Sequence, residues 1–122
     1  MILYAAGTTG APKGAELTHA NLTRNADVSA GLFSLDGAAI TLGALPLFHS
    51  FGQTCAMNAT IRGAGCMTLI PRFDPVKALE IIQRDRVTVF EGVPTMYSAM
   101  LEAPNRDDYA PPSSDERRVG EE

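Results

Sequence analysis

A segment rich in glycine and threonine near the start of the sequence, GTTGAPKG at residues 7–14, has residue types suited to phosphate binding. Glycine lets several backbone N–H groups turn toward one concave surface, because it has no Cβ to obstruct them. Thr8 and Thr9 add hydroxyl donors, and Lys13 adds a positive charge. Charge-assisted hydrogen bonds contribute about 1.5–3 kcal/mol each, so such a loop can hold a polyphosphate only together with other residues. An exposed turn that binds nothing is the alternative.

The amino-acid sequence excludes two other phosphate-binding motifs. A P-loop has the pattern G-x-x-x-x-G-K-[ST], but Pro12 stands where its last glycine belongs and Gly14 follows the lysine. A dinucleotide-binding fingerprint needs three glycines at the start of a helix, whereas Gly63 and Gly65 follow a predicted helix and lack the third.

Short apolar runs that predict strands alternate with helical patterns along the chain. The strands are predicted at residues 2–4, 15–17, 40–47, 66–70 and 87–90. The helices are predicted from Thr18 as N-cap to about Leu32, from Gln53 to Arg62 with Gly63 and Gly65 closing it, after Asp74, and from Pro94 to about Leu101. This order is typical of an α/β fold with a parallel sheet. Because such a sheet needs covered faces and paired neighbours, we expect a partial sheet from a larger domain.

Composition divides the chain and limits its function. Residues 1–102 form the predicted partial domain, whereas residues 103–122 are poor in apolar side chains and are predicted to be a disordered or aberrant tail. The net charge of -4 without a basic run argues against nucleic-acid binding. The sequence contains neither a signal peptide nor an apolar run of about 20 residues, which favours a cytoplasmic location without a transmembrane segment. The spacing of Cys55 and Cys66 predicts two buried thiols and no metal site.

Three segments, in order, resemble the adenylate-forming (AMP-binding) superfamily, and within it the fatty acyl-CoA synthetases. The first, ILYAAGTTGAPKGAELTHANL, contains most of that family's phosphate-binding signature, T-S-G-T-T-G-x-P-K-G. The second, LPLFHSFGQT, and the third, VTVFEGVPTMYSAML, resemble later conserved segments in the same order. The resemblance extends from about residue 2 to residue 109, and it implies a piece of the large N-terminal domain of such an enzyme.

The resemblance implies a reaction and a set of site residues. Family members join a carboxylate to ATP, with Mg²⁺, and transfer the acyl group from the acyl-adenylate to coenzyme A. The residues implied to bind the ATP phosphates are Gly7, Thr8, Thr9, Gly10 and Lys13. Those implied to line the acyl pocket are His49, Gly92, Val93, Pro94 and Thr95. From the residues alone, His49 packed at a strand end and an ordinary strand-to-helix corner at residues 92–95 stay open, and Met96 and Met100 are assigned to the core.

The sequence also departs from the family pattern. Ala5 and Ala6 replace two residues that usually carry hydroxyl groups. The magnesium-binding acid, the ribose-binding aspartate and the C-terminal lysine of the family have no counterpart, so no catalytic set is complete and the chain is expected to be inactive alone. A companion chain with the missing half would be a partner beside ATP, fatty acid and coenzyme A. A non-catalytic nucleotide- or acyl-binding module and a decayed reading frame are the alternatives.

Overall fold

The first two strands form a hairpin of their own. The computed structural model describes residues 1–5 and 10–109. β1 (Ile2–Ala5) pairs antiparallel with β2 (Lys13–Glu16), and the register sets Ala5 opposite Lys13. The two predicted strands are therefore confirmed, but they pair with each other and not with the parallel sheet. Their connection is too short for a parallel crossover, which needs a dozen or more residues.

A three-stranded parallel sheet forms the centre of the fold and confirms the α/β class. Its strands are β3 (Ile40–Gly43), β4 (Cys66–Leu69) and β5 (Val89–Phe90), in the order β4-β3-β5. The register pairs Leu42 with Thr68 on one side and with Phe90 on the other. The carboxyl ends of all three strands therefore lie at one edge of the sheet.

Helices connect the strands and cover the sheet. α1 (His19–Leu32) follows the hairpin, and a π-helix (Gly52–Asn58) leads directly into α2 (Ala59–Arg62) between β3 and β4. α3 (Pro75–Arg84) connects β4 to β5, and α4 (Pro94–Leu101) follows β5. A short 3₁₀ helix covers Arg106–Asp108.

Side-chain caps fix the starts of two helices where the sequence predicts them. Thr18 Oγ1 accepts from the N–H of Asn21 at 3.1 Å, while the Thr18 N–H donates to Asn21 Oδ1 at 3.0 Å. This reciprocal pair is a capping box that satisfies two otherwise unpaired donors. Asp74 Oδ1 accepts from the N–H of Lys77 at 2.9 Å, and Pro75 occupies the first turn.

Each face of the sheet has its own core. On one face, Leu42 and Ala44 pack with buried residues of the segments around α3, together with Met100 of α4. On the other face, Val89 packs with Ala59 of α2 and with Leu35 and Ala39. The second core also holds a polar pair, because the fully buried Thr60 hydroxyl donates to Thr41 Oγ1 at 2.7 Å. The prediction that Met100 belongs to the core is confirmed.

Two strands are shorter than predicted by two residues or more, because their backbone groups bond elsewhere. The strand predicted at residues 40–47 ends at Gly43, where the N–H of Ala44 turns back to the Leu42 carbonyl. The strand predicted at residues 87–90 begins at Val89, because the N–H of Val87 donates to the Ile82 carbonyl and so closes α3.

The glycines after α2 close the helix as predicted, with Gly63 as its C-cap and the Gly65 N–H donating to the Thr60 carbonyl, but neither does so through a positive φ. The residue with positive φ is Ala64, at 58°, whereas Gly63 and Gly65 lie outside that region. A Cβ on Gly63 would lie 2.8 Å from the Leu35 carbonyl oxygen, and a Cβ on Gly65 would lie 2.8 Å from that of Ala39. The two glycines are thus needed for close backbone approach. The prediction of two buried thiols was also wrong, since Cys66 is exposed.

The segment after α4 continues to pack against the helical layer. Ala103 is buried, and Asn105 Nδ2 donates to the Val76 carbonyl at 3.3 Å. The predicted tail from residue 103 therefore begins within packed structure, and its residues 110–122 lie outside the described residues, where disorder stays a prediction.

Candidate functional site

The glycine- and threonine-rich loop connects the two strands of the hairpin. Gly7, Thr8 and Thr9 lie outside the described residues, so their predicted phosphate contacts stay predictions. Gly10 has φ of +128°, a backbone conformation that side-chain-bearing residues rarely adopt, and a Cβ there would meet no atom within 4 Å. The glycine is therefore required at this position by backbone conformation and not by crowding.

Lys13 is the first residue of β2 and stands at the end of the loop. Its side chain is exposed, and within residues 1–5 and 10–109 no hydrogen bond or ion pair engages its ammonium group. The hairpin register fixes its position opposite Ala5. An unpaired cation held at the mouth of a glycine loop can attract a phosphate.

Gly14, beside Lys13, lets the hairpin close tightly. A Cβ there would lie 2.8 Å from Ile2 Cγ2 and 3.2 Å from Tyr4 Cε1. The side chains of Ile2 and Tyr4 therefore occupy the space that a side chain at position 14 would need. Gly14 is part of the loop pattern, but its packing role could not be seen before the register of the hairpin was known.

His49 lies in the turn between β3 and the π-helix. Its Nδ1 accepts a hydrogen bond from the N–H of Phe51 at 3.2 Å, which leaves the ring proton on Nε2 in the neutral imidazole. Its carbonyl accepts from the N–H of Gln53 at 2.9 Å. The ring is exposed beside Phe48, whose side chain is 89% exposed. The turn thus presents one N–H donor and one aromatic surface.

Residues 92–95 form the corner between β5 and α4. A Cβ on Gly92 would lie 3.0 Å from the Phe90 ring and 3.4 Å from Met96 Sδ, so the glycine admits both side chains. Val93 is the N-cap of α4 without a side-chain cap, and Pro94 begins the helix. Val93, Pro94 and Thr95 are all exposed. The predicted pocket residues therefore lie on an open surface of the described chain.

The topology brings the two predicted acyl-pocket segments to one edge of the sheet. β3 and β5 are parallel neighbours, so the turn with His49 and the corner with Gly92 both follow carboxyl strand ends. In open α/β sheets, ligands bind outside this edge. The phosphate loop belongs to the separate hairpin, which meets the π-helix through a hydrogen bond from Gln53 Nε2 to Met1 Sδ at 3.6 Å.

Glu91 is a candidate that the sequence prediction did not single out. It directly follows β5, its side chain is only 7% exposed, and neither carboxyl oxygen has a hydrogen-bond partner within the described structure. Burial disfavours the charged form and raises the pKa of Glu91 to about 7. The only indication in the sequence was the position of this carboxylate between Phe90 and Gly92, at the end of a predicted buried strand.

No metal or membrane feature is found in the described parts of the chain. Within residues 1–5 and 10–109, no three His, Cys, Asp or Glu side chains come together in a way that could hold a metal ion. Over the same residues, every helix is too short or too polar to cross a bilayer.

Comparison with known proteins establishes the family. Residues 1–120 match the family model for AMP-binding enzymes. The chain belongs to the AMP-binding enzyme family, which confirms the resemblance of the three segments. It is 40% identical over 111 residues to a long-chain-fatty-acid–CoA ligase of Bacillus subtilis (strain 168), covering 89% of this chain and 20% of that protein.

A second relative and a solved structure agree with this assignment. A feruloyl-CoA synthase of Amycolatopsis is 39% identical over 107 residues, or 85% of this chain and 21% of that protein. The crystal structure of ATP-bound MatB from Rhodopseudomonas palustris superposes with a TM-score of 0.75 at 40% identity, over 84% of this chain and 20% of MatB. The chain thus spans about a fifth of the length of the curated relatives that it matches.

Proposed function

We propose that this chain is a segment of an ATP-dependent acyl-CoA synthetase, and that it supplies the phosphate loop and part of the acyl pocket. In the proposed reaction, a fatty acid carboxylate attacks the α-phosphorus of ATP and releases pyrophosphate. The thiol of coenzyme A then attacks the acyl-adenylate and releases AMP. The observation that carries this proposal is Lys13, a cation without a partner among the described residues, which the hairpin fixes at the end of the glycine loop.

The loop would act on the departing pyrophosphate. Negative charge grows on that group as its bond to the α-phosphorus breaks, so donors fixed in advance lower the barrier. Gly7, Thr8, Thr9 and Gly10 would supply backbone and hydroxyl donors, and Lys13 would supply the charge. Lys13 acts here through electrostatics and not as a base. Mg²⁺, held by residues of a complete enzyme that have no counterpart in this chain, would add further charge neutralisation.

The edge with His49 and Gly92 would hold the acyl group. Because Nδ1 of His49 accepts from the Phe51 N–H, the ring N–H on Nε2 is available to donate to the carboxylate. The exposed ring of Phe48 and the corner at residues 92–95 provide apolar surface for the acyl chain of the substrate. These roles follow from family membership and from the position of both segments at the carboxyl edge.

We infer that the chain is inactive alone. The family residues that bind magnesium and ribose, and the C-terminal lysine, have no counterpart in it. A functional test must therefore place the segment in a complete enzyme. A suitable frame is the Bacillus subtilis ligase, in which the matching segment is replaced by the aligned residues of this chain; we call this protein the exchanged ligase.

Lys13→Ala in the exchanged ligase tests the phosphate role. Loss of one charge-assisted contact to phosphate is expected to lower kcat/KM for ATP by roughly 10- to 100-fold. Lys77→Ala is the matched control, because Lys77 is the other lysine of the sequence and is exposed on α3. Its kcat/KM should stay within about two-fold of the unsubstituted protein. Equal losses in the two variants, measured by pyrophosphate release, would contradict the proposed role of Lys13.

A further inference from the structure

Hydrogen bonds within one short turn hold His49 at the carboxyl edge of the sheet. Its backbone N–H donates to the Pro46 carbonyl at 3.0 Å, and its own carbonyl accepts from the N–H of Gln53 at 2.9 Å. Its ring Nδ1 accepts from the N–H of Phe51 at 3.2 Å. The ring is exposed, so these bonds, and not a packed environment, set its direction.

Gly52 lies where these hydrogen bonds converge. It stands between Phe51 and Gln53 in the sequence and is therefore bonded directly to both donor residues. It also lies against the acceptor, because a Cβ on Gly52 would lie 2.5 Å from the Pro46 carbonyl oxygen and 3.0 Å from Leu45 Cβ. Non-bonded carbon atoms pack at about 3.5–4.0 Å, so a side chain at this position would displace part of the arrangement.

The turn, and not the helix, would move if a side chain were added. Gly52 is the first residue of the π-helix, which continues through the buried Ala56 into α2. The buried Thr60 hydroxyl further ties this helical segment to β3. Residues 48–50 of the turn are exposed and can move without loss of core packing. A methyl group on Gly52 would therefore displace the turn, and His49 with it, while the core stays in place.

We propose that Gly52 is a positioning residue for the acyl-activating reaction. It lets the turn at residues 46–49 close against the π-helix and so directs the ring N–H of His49 toward the substrate carboxylate. This inference rests on the proposed function, which assigns that carboxylate to His49. Gly52 has no side chain and is buried, so it acts through His49. A residue that acts through another has an effect only while that other residue is present.

Gly52→Ala in the exchanged ligase tests this role, with His49→Ala as the second arm of a double-mutant cycle. Gly52→Ala alone is expected to lower kcat/KM for decanoic acid by about 10-fold or more, equivalent to loss of one hydrogen bond to a charged group. The KM for ATP should stay within about two-fold. In the His49→Ala background, Gly52→Ala should change kcat/KM for decanoic acid by less than about two-fold.

Gly63→Ala is the matched control, because its Cβ would also lie against a backbone oxygen, that of Leu35, at 2.8 Å. It should lower the melting temperature but leave kcat/KM for decanoic acid within about two-fold, with histidine or alanine at position 49. Equal losses of kcat/KM in Gly52→Ala and Gly63→Ala would overturn the inference. So would an undiminished loss from Gly52→Ala in the His49→Ala background, or a His49→Ala ligase of unchanged activity.

A second measurement decides the case if Gly52→Ala does not fold. Hydrogen exchange of residues 44–53 is compared by mass spectrometry between the exchanged ligase and its His49→Ala variant. If Gly52 holds the turn, loss of the imidazole should free only the Phe51 N–H, which donates to Nδ1. Faster exchange of the whole segment would mean that the ring holds the turn, and it would overturn the inference.

The inference and the proposed function fail in different ways. An exchanged ligase that forms no decanoyl-CoA, or that is unaffected by Lys13→Ala, overturns the proposed function. The exchange measurement does not depend on turnover and still decides whether Gly52 or the imidazole holds the turn.

Discussion

The carboxyl group of Glu91 shows how one residue can link stability to pH. Its pKa in the folded chain is raised to about 7 from the ordinary value of 4.5, so the folded state binds the proton more tightly than the unfolded state. The free energy of unfolding therefore decreases as pH rises from about 4.5 through about 7. The pKa difference corresponds to roughly 3 kcal/mol across that window.

Glu91→Gln should remove this decrease. The variant is expected to be more stable than the unsubstituted chain at pH above 7, because the amide carries no charge to bury. Urea denaturation across the pH range would measure the difference. Glu80→Gln, at an exposed carboxylate, serves as control and should follow the unsubstituted chain. A Glu91→Gln chain whose stability falls with pH as steeply as its parent would exclude Glu91 as the source.

The pKa of Asp85 is shifted in the opposite direction, so its effect on stability falls in a different pH range. Hydrogen bonds from Arg84 and from Thr68 hold the pKa of Asp85 at about 2, below the ordinary 3.8. A depressed carboxylate pKa adds stability at higher pH, and that stability is lost as pH falls from about 3.8 through about 2. The pH windows of Asp85 and Glu91 do not overlap, so the titration of Glu91 can be measured without interference from Asp85.

Among single residues, the sequence identified Lys13 and His49, which belong to recognisable motifs. It did not identify Glu91, which belongs to none. Among the described residues, Lys13 has no side-chain partner, whereas Nδ1 of His49 accepts a hydrogen bond. Glu91 has no pattern, and its importance follows only from its burial. A hydrophilic residue in a sequence is expected at the surface, so tertiary packing was needed to identify it.

Helix starts are the elements that the sequence predicts best, because the capping side chains are local. Thr18→Ala should destabilise the chain by about 1 kcal/mol, since it removes the acceptor for the Asn21 N–H and breaks the capping box. Thr23→Ala is the matched control inside α1, where the hydroxyl only donates to the His19 carbonyl. That change should have little effect, because such a bond adds no stability to a helix interior.

Chemical denaturation of the two threonine variants distinguishes the cap from general loss of a hydroxyl. A midpoint shift confined to Thr18→Ala supports the cap. Comparable midpoints for both variants would mean that α1 does not depend on its capping box.

Helix ends were less predictable, because they depend on neighbouring backbone. Ala64 has positive φ directly after α2, and Gly65 N–H donates to the Thr60 carbonyl, as in a Schellman motif. Ala64→Gly should stabilise the chain by roughly 0.5–1 kcal/mol, because glycine adopts this conformation without strain. Gly63→Ala should destabilise it, since the added Cβ would lie 2.8 Å from the Leu35 carbonyl oxygen.

Thermal unfolding of this pair checks the sign of each change. The melting temperature should rise for Ala64→Gly and fall for Gly63→Ala. The reverse order would mean that the turn after α2 does not have the described backbone conformation, in which Ala64 has positive φ.

At the scale of the whole molecule, the outer edges of the first and last strands of the parallel sheet have no strand neighbour among the described residues. β4 and β5 are the edges, and both belong to a three-stranded parallel sheet with Leu69 more than half exposed at one edge. Parallel sheets are normally covered and extended by neighbours. The partial sheet was predicted from the order of strands and helices, whereas the separate hairpin was missed, although the short connection between β1 and β2 already excludes parallel pairing of these two strands.

Acyl-CoA formation by the exchanged ligase from decanoic acid, ATP and coenzyme A tests the proposed function most directly. The parent ligase and the Lys13→Ala exchanged ligase are the references. The exchanged ligase is expected to form decanoyl-CoA, and Lys13→Ala is expected to reduce this rate by at least about 10-fold. A folded exchanged ligase that forms no decanoyl-CoA, or that is unaffected by Lys13→Ala, would contradict the proposed function.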